Sequence, residues 1–451
     1  MLTGFSRAEI EARSNVIAYR RAVYSPPVTS MKRVAVSCFV GSTIEYYDFL
    51  IYGTAAALVF PTVFFPHLSP AVATVASMGT FAAAFVTRPI GAAVFGHYGD
   101  RLGRKKTLVA TLLIMAVSTV GVGLVPSAAA IGQTAPLILT GLRLLQGFAV
   151  GGEFAGAALL SAEYAPPDKR GLYGMFTIIG GGTALVVTSL TFLGVNYTIG
   201  EHSPAFMQWG WRIPFLTSVV LIAIALYVRL NIDETPVFAR EKARSGGSEA
   251  PLAEVLRRQR REIVLAAGAG MSGFAFVYLA STYFATYART QLGYSRGIIL
   301  FDGVLGGLTC IAFAAFAAAL SDQLGRRRIM LVGRTLALPV ALVVMPLIDS
   351  GHPELYLLAL IGMYAVAAFG AGPTASFIPE LFATRYRYTG TALAGNLASI
   401  AGGAIPPLIA STLKTTYGSW ALGVMMTVLA LVSLLCTYLL PETAGAELAA
   451  V

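Results

Sequence analysis

The sequence predicts an all-α polytopic membrane protein with twelve transmembrane helices, arranged in two pseudo-repeated bundles of six. The first observation is the composition, because 56% of the 451 residues are hydrophobic and only 12% are charged. That is about half the charged fraction of an ordinary soluble domain. The second observation is a set of long stretches without Asp, Glu, Lys or Arg, at 49–87, 107–142, 171–200, 388–413 and 415–441. One span needs about 20 apolar residues, so the composition excludes an ordinary soluble enzyme and also a disordered chain.

Turn residues divide the apolar stretches into individual helices. We predict spans at roughly 34–58, 73–96, 107–126, 136–162, 171–195, 213–231, 263–287, 298–319, 329–348, 355–377, 388–412 and 420–440. The predicted organisation is an N-terminal tail at 1–33, a six-helix bundle at 34–231, a linker at 232–262, a second bundle at 263–440 and a tail at 441–451. The arginine-rich end of the linker predicts an amphipathic basic helix on the membrane surface.

The distribution of positive charge predicts the orientation. Of the 32 Lys and Arg residues, 25 fall in the N-terminal tail and the even-numbered connections, and only 4 fall in the odd-numbered ones. This asymmetry follows the positive-inside rule. We therefore expect a multi-pass protein of the cell membrane with both termini in the cytoplasm. The net charge of +10 is then explained by topology and contact with lipid, without a nucleic-acid partner.

Nothing in the sequence indicates a metal site or an enzyme. The cysteines all lie inside apolar runs and do not form a disulfide framework or a metal-binding pattern: Cys38, Cys310 and Cys436. The motif Gly268-x-Gly270-x-x-Gly273 resembles a dinucleotide fingerprint, but it lies within span seven and no strand precedes it. We expect no metal, no cofactor and no catalytic residue.

An internal repeat relates the two halves. The segment Asp100-Arg101-Leu102-Gly103-Arg104 follows span two and recurs 222 residues later as Asp322-Gln323-Leu324-Gly325-Arg326. After span four, Glu163 is followed seven residues on by Arg170, and the same pair recurs 217 residues later as Glu380 and Arg387. Duplicated halves of this kind indicate a binding site between them, midway across the membrane.

The segment Gly96-x-x-x-Asp100-Arg101-x-Gly103-Arg104-Lys105-Lys106 resembles the signature loop of the major facilitator superfamily. Further segments resemble its metabolite:proton symporter family, namely 41–49, 87–91, Gln146-Gly147, Gly151-Gly152-Glu153, 209–215, 379–382 and 387–390. The resemblance implies proton-coupled symport by alternating access, driven by the proton gradient without a cofactor. It implies a substrate that is a small organic acid, such as ketoglutarate, citrate or shikimate, or a zwitterion, such as proline or betaine. Gln323 departs from the pattern, which has an Arg at that position.

Charged residues inside the spans are candidates for function, because each costs about 2.5–3.5 kcal/mol at the centre of a membrane helix. The candidates for proton coupling are Asp48, Glu45 and Glu153. The candidates for substrate binding are Arg143, Gln146, Tyr52, Arg88 and Asn396.

Asp48 and Arg143 fall at similar predicted depths, and related sugar porters resemble this arrangement of a span-one carboxylate and a span-four Arg. We predict that ionised Asp48 pairs with Arg143, and that protonation frees Arg143 to meet a substrate carboxylate. Glu45 is a rival for the proton role, and a pair that only locks the helices together is the structural alternative. We expect Arg334 and Asp302, near the span ends, to extend towards the membrane surface.

A second group of charged residues lies at the predicted cytoplasmic ends of the spans. The family resemblance implies ion pairs that close this side, formed by Asp100, Arg101, Arg104, Glu163, Arg170, Asp322, Arg326, Glu380 and Arg387. Loose counter-charges of the positive-inside pattern are the alternative.

The sequence thus predicts a monomeric, proton-coupled symporter of a small organic anion. Two alternatives stay open, uptake of a zwitterionic osmolyte and a pH-independent uniporter.

Overall fold

A computed structural model describes residues 30–200, 203–231 and 251–445, with the side chains of residues 71, 104 and 251 left out. Within these residues, twelve helices are long and apolar enough to cross a membrane, as predicted. In chain order they are α1 Met31–Leu58, α2 Val72–Leu102, α3 Lys105–Leu124, α4 Thr134–Tyr164, α5 Pro167–Ile199, α6 Gly210–Leu230, α7 Arg260–Thr290, α8 Arg296–Leu324, α9 Arg326–Asp349, α10 Pro353–Glu380, α11 Thr384–Tyr417 and α12 Trp420–Leu439. The predicted tail at 1–33 lies outside the described residues except for its last four, and so does most of the linker.

Most helices run further than the apolar stretches that predict them. The predicted 97–106 connection is almost entirely helical, because α2 continues to Leu102 and the helix that contains the α3 span begins one residue before it, at Arg104. Gly103 separates them with a φ of +112°, and Gly325 separates α8 from α9 with a φ of +97°. Only glycine adopts this conformation without steric cost. The repeated motif therefore makes the same sharp turn in both halves.

The two halves pack their helices in the same way. In the first half α1 packs on α5, α2 on α4 and α3 on α6, and in the second half α7 packs on α11, α8 on α10 and α9 on α12. Between the halves, α5 packs along α8 and α2 along α11. Two π-helical turns, Leu279–Tyr283 in α7 and Ile400–Ala404 in α11, interrupt the second half. Such turns are frequent at functional sites.

Glycines bring α2 and α4 into close contact. A Cβ atom on Gly147 would lie 2.0 Å from the carbonyl oxygen of Ala84, and one on Gly91 would lie 1.9 Å from that of Phe148. Real Cβ atoms do not approach an oxygen so closely, so both positions require glycine. Small residues of this kind are typical of helix contacts in membranes.

The end of the linker forms a short helix, Pro251–Arg258, which docks against α2 and α11. Val255 is fully buried there, whereas Arg257 and Arg258 are exposed. Glu254 pairs with Arg385 at 3.1 Å. The helix is amphipathic and basic, and its apolar side packs on the protein.

Candidate functional site

A hydrogen-bond relay connects a buried carboxylate to a buried guanidinium within the first half. Asp48 on α1 is fully buried, and its Oδ2 accepts a hydrogen bond from Thr119 on α3 at 2.9 Å. The Gln146 amide donates to the hydroxyl oxygen of Thr119 at 2.9 Å. Arg143, three residues before Gln146 on α4, donates to the amide oxygen. We call Asp48, Thr119, Gln146 and Arg143 the coupling relay.

The guanidinium of Arg143 is enclosed by aromatic rings. Its central carbon lies 4.1 Å from the ring centroids of Phe49 and Tyr52 and 5.1 Å from that of Phe81. Cation–π contacts of this kind stabilise a desolvated cation by about 2 kcal/mol. Tyr52 is held in turn by its hydroxyl, which donates to Thr80 at 2.8 Å.

The structure connects Asp48 to Arg143 indirectly, through the side chains of two other residues. The described residues include no direct ion pair between the two, since Gln146 and Thr119 lie between them. Sequence reasoning missed Thr119, because a threonine in an apolar span is common and nothing in the local pattern distinguishes this one. The Oδ1 atom of Asp48 accepts no hydrogen bond from any described residue.

A small cavity of about 30 Å³ lies between the halves and is lined by Glu45, Arg88, Asn396 and Ser399, among others. Arg88 reaches across from α2, donates to Ser399 on α11 at 3.2 Å, and stacks over Phe49 at 4.4 Å. The Asn396 amide donates to the Gly151 carbonyl of the opposite half at 2.7 Å. These predicted binding residues therefore meet at the interface between the bundles.

Glu153 has a partner that was not predicted from the sequence. It forms a buried ion pair with Arg229 at the end of α6 and accepts a hydrogen bond from Thr111 at 2.6 Å. Arg229 also donates to the Leu108 carbonyl at 2.8 Å. A Cβ atom on Gly41 would collide with the guanidinium, so glycine at this position makes room for it. These contacts satisfy Glu153 with groups of its own half.

The predicted gate residues join the two halves by symmetric contacts. Asp100 at the end of α2 accepts hydrogen bonds from the backbone N–H of Thr389, at 3.2 Å, and from its hydroxyl, at 2.8 Å. Asp322 at the end of α8 accepts hydrogen bonds from the N–H groups of Gly171 and Leu172, both at 2.8 Å. In each case a carboxylate from one half binds the first α-helical turn of a helix from the other half, which begins at Arg170 in α5 and at Arg387 in α11 after a short 3₁₀ turn.

Ion pairs reinforce these contacts. Arg170 lies 3.7 Å from Glu380, and the equivalent Arg387 lies 4.0 Å from Glu163. Arg326 bridges Asp322 and Glu380, each at 3.0 Å. We call these six residues, together with Asp100, the gate cluster.

One predicted gate residue, Arg101, stands apart from this cluster. Arg101 is exposed and contacts His97 of its own helix at 3.3 Å. The side chain of Arg104 lies outside the described residues. Glu442 and Thr443, beyond α12, also contact this cluster and were not predicted from the sequence. Glu442 accepts the backbone N–H of Arg326 at 2.9 Å, and Thr443 donates to Glu380 at 2.6 Å.

Arg334 does not extend to the membrane surface as predicted. Its side chain is 1% exposed and donates from Nε to the Ala269 carbonyl at 3.0 Å. Asp302 is buried as well, at 4% exposure. Both expectations were wrong because helix packing covers these positions. Among the described residues, no group of three or more His, Cys, Asp or Glu could hold a metal ion.

Comparison with known proteins identifies the family. The sequence profile of the sugar (and other) transporter family matches residues 34–260 and 245–451, which together cover both halves. The chain belongs to this family, within the major facilitator superfamily. Over 422 residues it is 41% identical to the inner membrane metabolite transport protein YhjE of Escherichia coli K12, covering 92% of this chain and 96% of that protein. The resemblance seen in the sequence motifs is thereby confirmed.

Two further relatives carry substrate names. The chain is 35% identical to the shikimate transporter of Escherichia coli K12, over 90% of this chain and 93% of that one. It is 31% identical to the proline/betaine transporter of the same strain, over 93% and 85%. The fold is that of the Escherichia coli proton:xylose symporter XylE, with a TM-score of 0.73 at 20% identity over 93% of this chain and 98% of that one. The chain is thus a multi-pass membrane transporter and not an enzyme, as predicted.

Proposed function

We propose that this transporter carries a small organic acid together with protons across the cell membrane by alternating access. The coupling relay carries the proposal. A carboxylate withdrawn from water costs several kcal/mol in its ionised form, and Asp48 is held by a single hydrogen bond from Thr119. Such a group can load and release a proton as its surroundings change.

Through the coupling relay, the protonation state of Asp48 can change the position of Arg143. Ionised Asp48 accepts from Thr119, which orients the Gln146 amide so that its oxygen faces the guanidinium. Protonated Asp48 becomes a donor, so the Thr119 hydroxyl can turn away and the Gln146 amide loses its fixed orientation. Arg143 then loses its hydrogen-bond acceptor, and its position relative to the site between the halves changes. Glu45, in the cavity with Arg88, is the second candidate for the proton, whereas Glu153 is already neutralised by Arg229.

The gate cluster would close the cytoplasmic side in this scheme. The excess of Lys and Arg in the even-numbered connections supports this orientation, with both termini inside the cell. The two proposed domains are the bundles at 34–231 and 263–440. In the proposed monomer they form two halves around one binding site. The proton gradient supplies the energy, and membrane lipid surrounds the outer faces.

A zwitterion is the second candidate substrate. Glu45 and Arg88 line the same small cavity and offer opposite charges to one molecule. The proline/betaine transporter of Escherichia coli K12 is similar over most of the chain. An anion remains favoured because Arg334 and Arg88 line the two cavities between the halves and Arg143 is buried as well.

Proteoliposomes with an imposed pH gradient test the proposal. We expect labelled organic acids from a panel of acids and betaines to accumulate against their gradient only when the outside is acidic. Asp48→Asn should abolish this accumulation while leaving substrate exchange, and the control variant Asp302→Asn, at a buried carboxylate outside the relay, should retain it. Accumulation by the Asp48→Asn variant would exclude Asp48 as the proton carrier. Uptake that ignores the pH gradient would identify a uniporter.

A further inference from the structure

A cavity of about 130 Å³ lies between the two halves, midway along the helices. Helices from both bundles line it, and its wall is mainly apolar, with many Gly and Ala residues and the rings of Phe154 and Phe274. Among the described residues, Arg334 on α9 is the charged side chain of this wall, and no lining residue is acidic. The cavity is therefore an apolar chamber with a single positive charge.

The Arg334 side chain is held in place but incompletely satisfied. Its Nε–H donates to the Ala269 carbonyl at 3.0 Å, and this is its one hydrogen bond to the described part of the protein. Glycines frame the guanidinium, since a Cβ atom on Gly370 would lie 2.2 Å from Nη1 and one on Gly273 would lie 3.7 Å from it. The backbone is thus built around the arginine head, which leaves its terminal NH2 groups for the cavity.

A buried guanidinium without a carboxylate is costly in a folded protein. Apolar side chains of similar size would pack α9 against its neighbours without that cost. Carboxylates bind guanidinium groups by two parallel hydrogen bonds, and the two terminal nitrogens of Arg334 match that geometry. An anion in the cavity would neutralise the charge.

Two other buried arginines, Arg143 and Arg88, are less suited to this role. Arg143 lines neither cavity and is enclosed by Phe49 and Tyr52. Arg88 shares its small cavity with Glu45 and already donates to Ser399. Of these three arginines, Arg334 is the one that lines a cavity with no carboxylate among the lining residues.

We propose that Arg334 binds the carboxylate of the transported molecule, and that this molecule is a monocarboxylate with a largely apolar body. The inference rests on the proposed transport of organic acids and specifies the chemical class. A ring or hydrocarbon body fits the Gly, Ala and Phe wall. A second or third carboxylate would be desolvated in this chamber without a further cation, which disfavours dicarboxylates and tricarboxylates.

Equilibrium binding to the purified full-length protein, without a pH gradient, tests this assignment. The probes are radiolabelled benzoate and benzamide, which share a ring but differ in charge, with citrate and glycine betaine as competitors. We expect the wild type to prefer benzoate. Arg334→Met should weaken benzoate binding about 10- to 100-fold, the effect of one charged hydrogen-bonding group, while benzamide binding stays unchanged. Arg334→Lys should give an intermediate loss.

The melting temperature of the ligand-free protein separates binding from a structural role. Arg334→Met removes an uncompensated charge, so its melting temperature should match or exceed that of the wild type, and benzoate should no longer raise it. Four results would overturn the assignment: equal binding of benzoate and benzamide to the wild type, no binding of either, an undiminished preference for benzoate in Arg334→Met, or stronger competition by citrate than by unlabelled benzoate. If Arg334→Met does not fold, Arg334→Lys and the benzoate–benzamide comparison still decide the question.

The experiments distinguish a failure of the Arg334 assignment from a failure of the proposed proton-coupled transport. Proton-driven uptake of acids combined with an unchanged benzoate preference in the variants would remove the Arg334 assignment alone. Charge-selective binding at Arg334 without proton-driven uptake would leave the anion site and remove the symport mechanism.

Discussion

Asp100 at the end of α2 and Asp322 at the end of α8 bind the opposite half in the same way, whereas the buried charges midway along the helices differ between the halves. The first half contains Glu45, Asp48 and Arg143. The positions 217 to 222 residues after Asp48 hold Leu265–Gly270, which are apolar or small. Symmetric contacts suit a movement that the halves share, and asymmetric charges suit a coupling task that one half performs.

The largest expected effect concerns the buried charges of the first half, at the ion pair of Glu153 and Arg229. Glu153→Gln leaves Arg229 buried without its counter-charge, which should lower the free energy of unfolding by about 3–5 kcal/mol. Thermal unfolding in detergent measures the loss. The double variant Glu153→Leu with Arg229→Met removes both charges and should recover most of the stability. A double variant as unstable as the single one would show that the pair itself is not the cause.

The next effect concerns packing inside the first half. Gly147→Ala forces a Cβ atom against the carbonyl oxygen of Ala84 and should destabilise the protein by about 1–3 kcal/mol. Gly141→Ala is the matched control on the same helix, because no atom lies within 4 Å of its added Cβ. The control should be neutral or gain up to about 1 kcal/mol from helix propensity. Equal melting temperatures for the two variants would contradict the close contact.

Because the gate cluster makes equivalent contacts in both halves, we expect equal effects from equivalent substitutions there. Asp100→Asn and Asp322→Asn should each weaken the closed arrangement by about 1–2 kcal/mol, a 5- to 30-fold change in the population of the closed state. Spin labels at the exposed positions of Tyr98 and Leu324, in a cysteine-free background, report the distance between the halves. An unchanged distance distribution in both variants would refute the gate, and a change in only one would refute the symmetry.

The smallest effect tests the middle of the relay. Thr119→Val removes the hydroxyl between Asp48 and Gln146 and should lower proton-driven accumulation about 3- to 10-fold. Thr119→Ser keeps the hydroxyl and should transport like the wild type. Normal accumulation by the valine variant would mean that Asp48 and Arg143 communicate without this residue.

The number of spans, the internal repeat and most of the charged residues that pair between the halves could be predicted from the sequence, because they depend on composition and on motifs at fixed spacing. The interior could be predicted only in part. Asp48 and Arg143 are conspicuous as charges in an apolar segment, but Thr119 is an ordinary residue there. Arg334 was misplaced, and the pairing of Glu153 with Arg229 was not predicted, for the same physical reason. An arginine near a span end can reach either water or the core, and the neighbouring glycines Gly41 and Gly370 decide between the two only after the helices pack.

The backbone contacts of Asp100 and Asp322 have a mechanical consequence. Each carboxylate accepts hydrogen bonds from the opposite half, near the N-terminal end of an α-helix. The backbone N–H donors include Thr389 on α11 for Asp100 and Leu172 on α5 for Asp322. Separation of the two bundles leaves the N–H groups at both helix starts without these acceptors. In the proposed alternating-access scheme, halves that move as rigid bodies break both contacts together, so a partly separated arrangement loses both sets of acceptors at once.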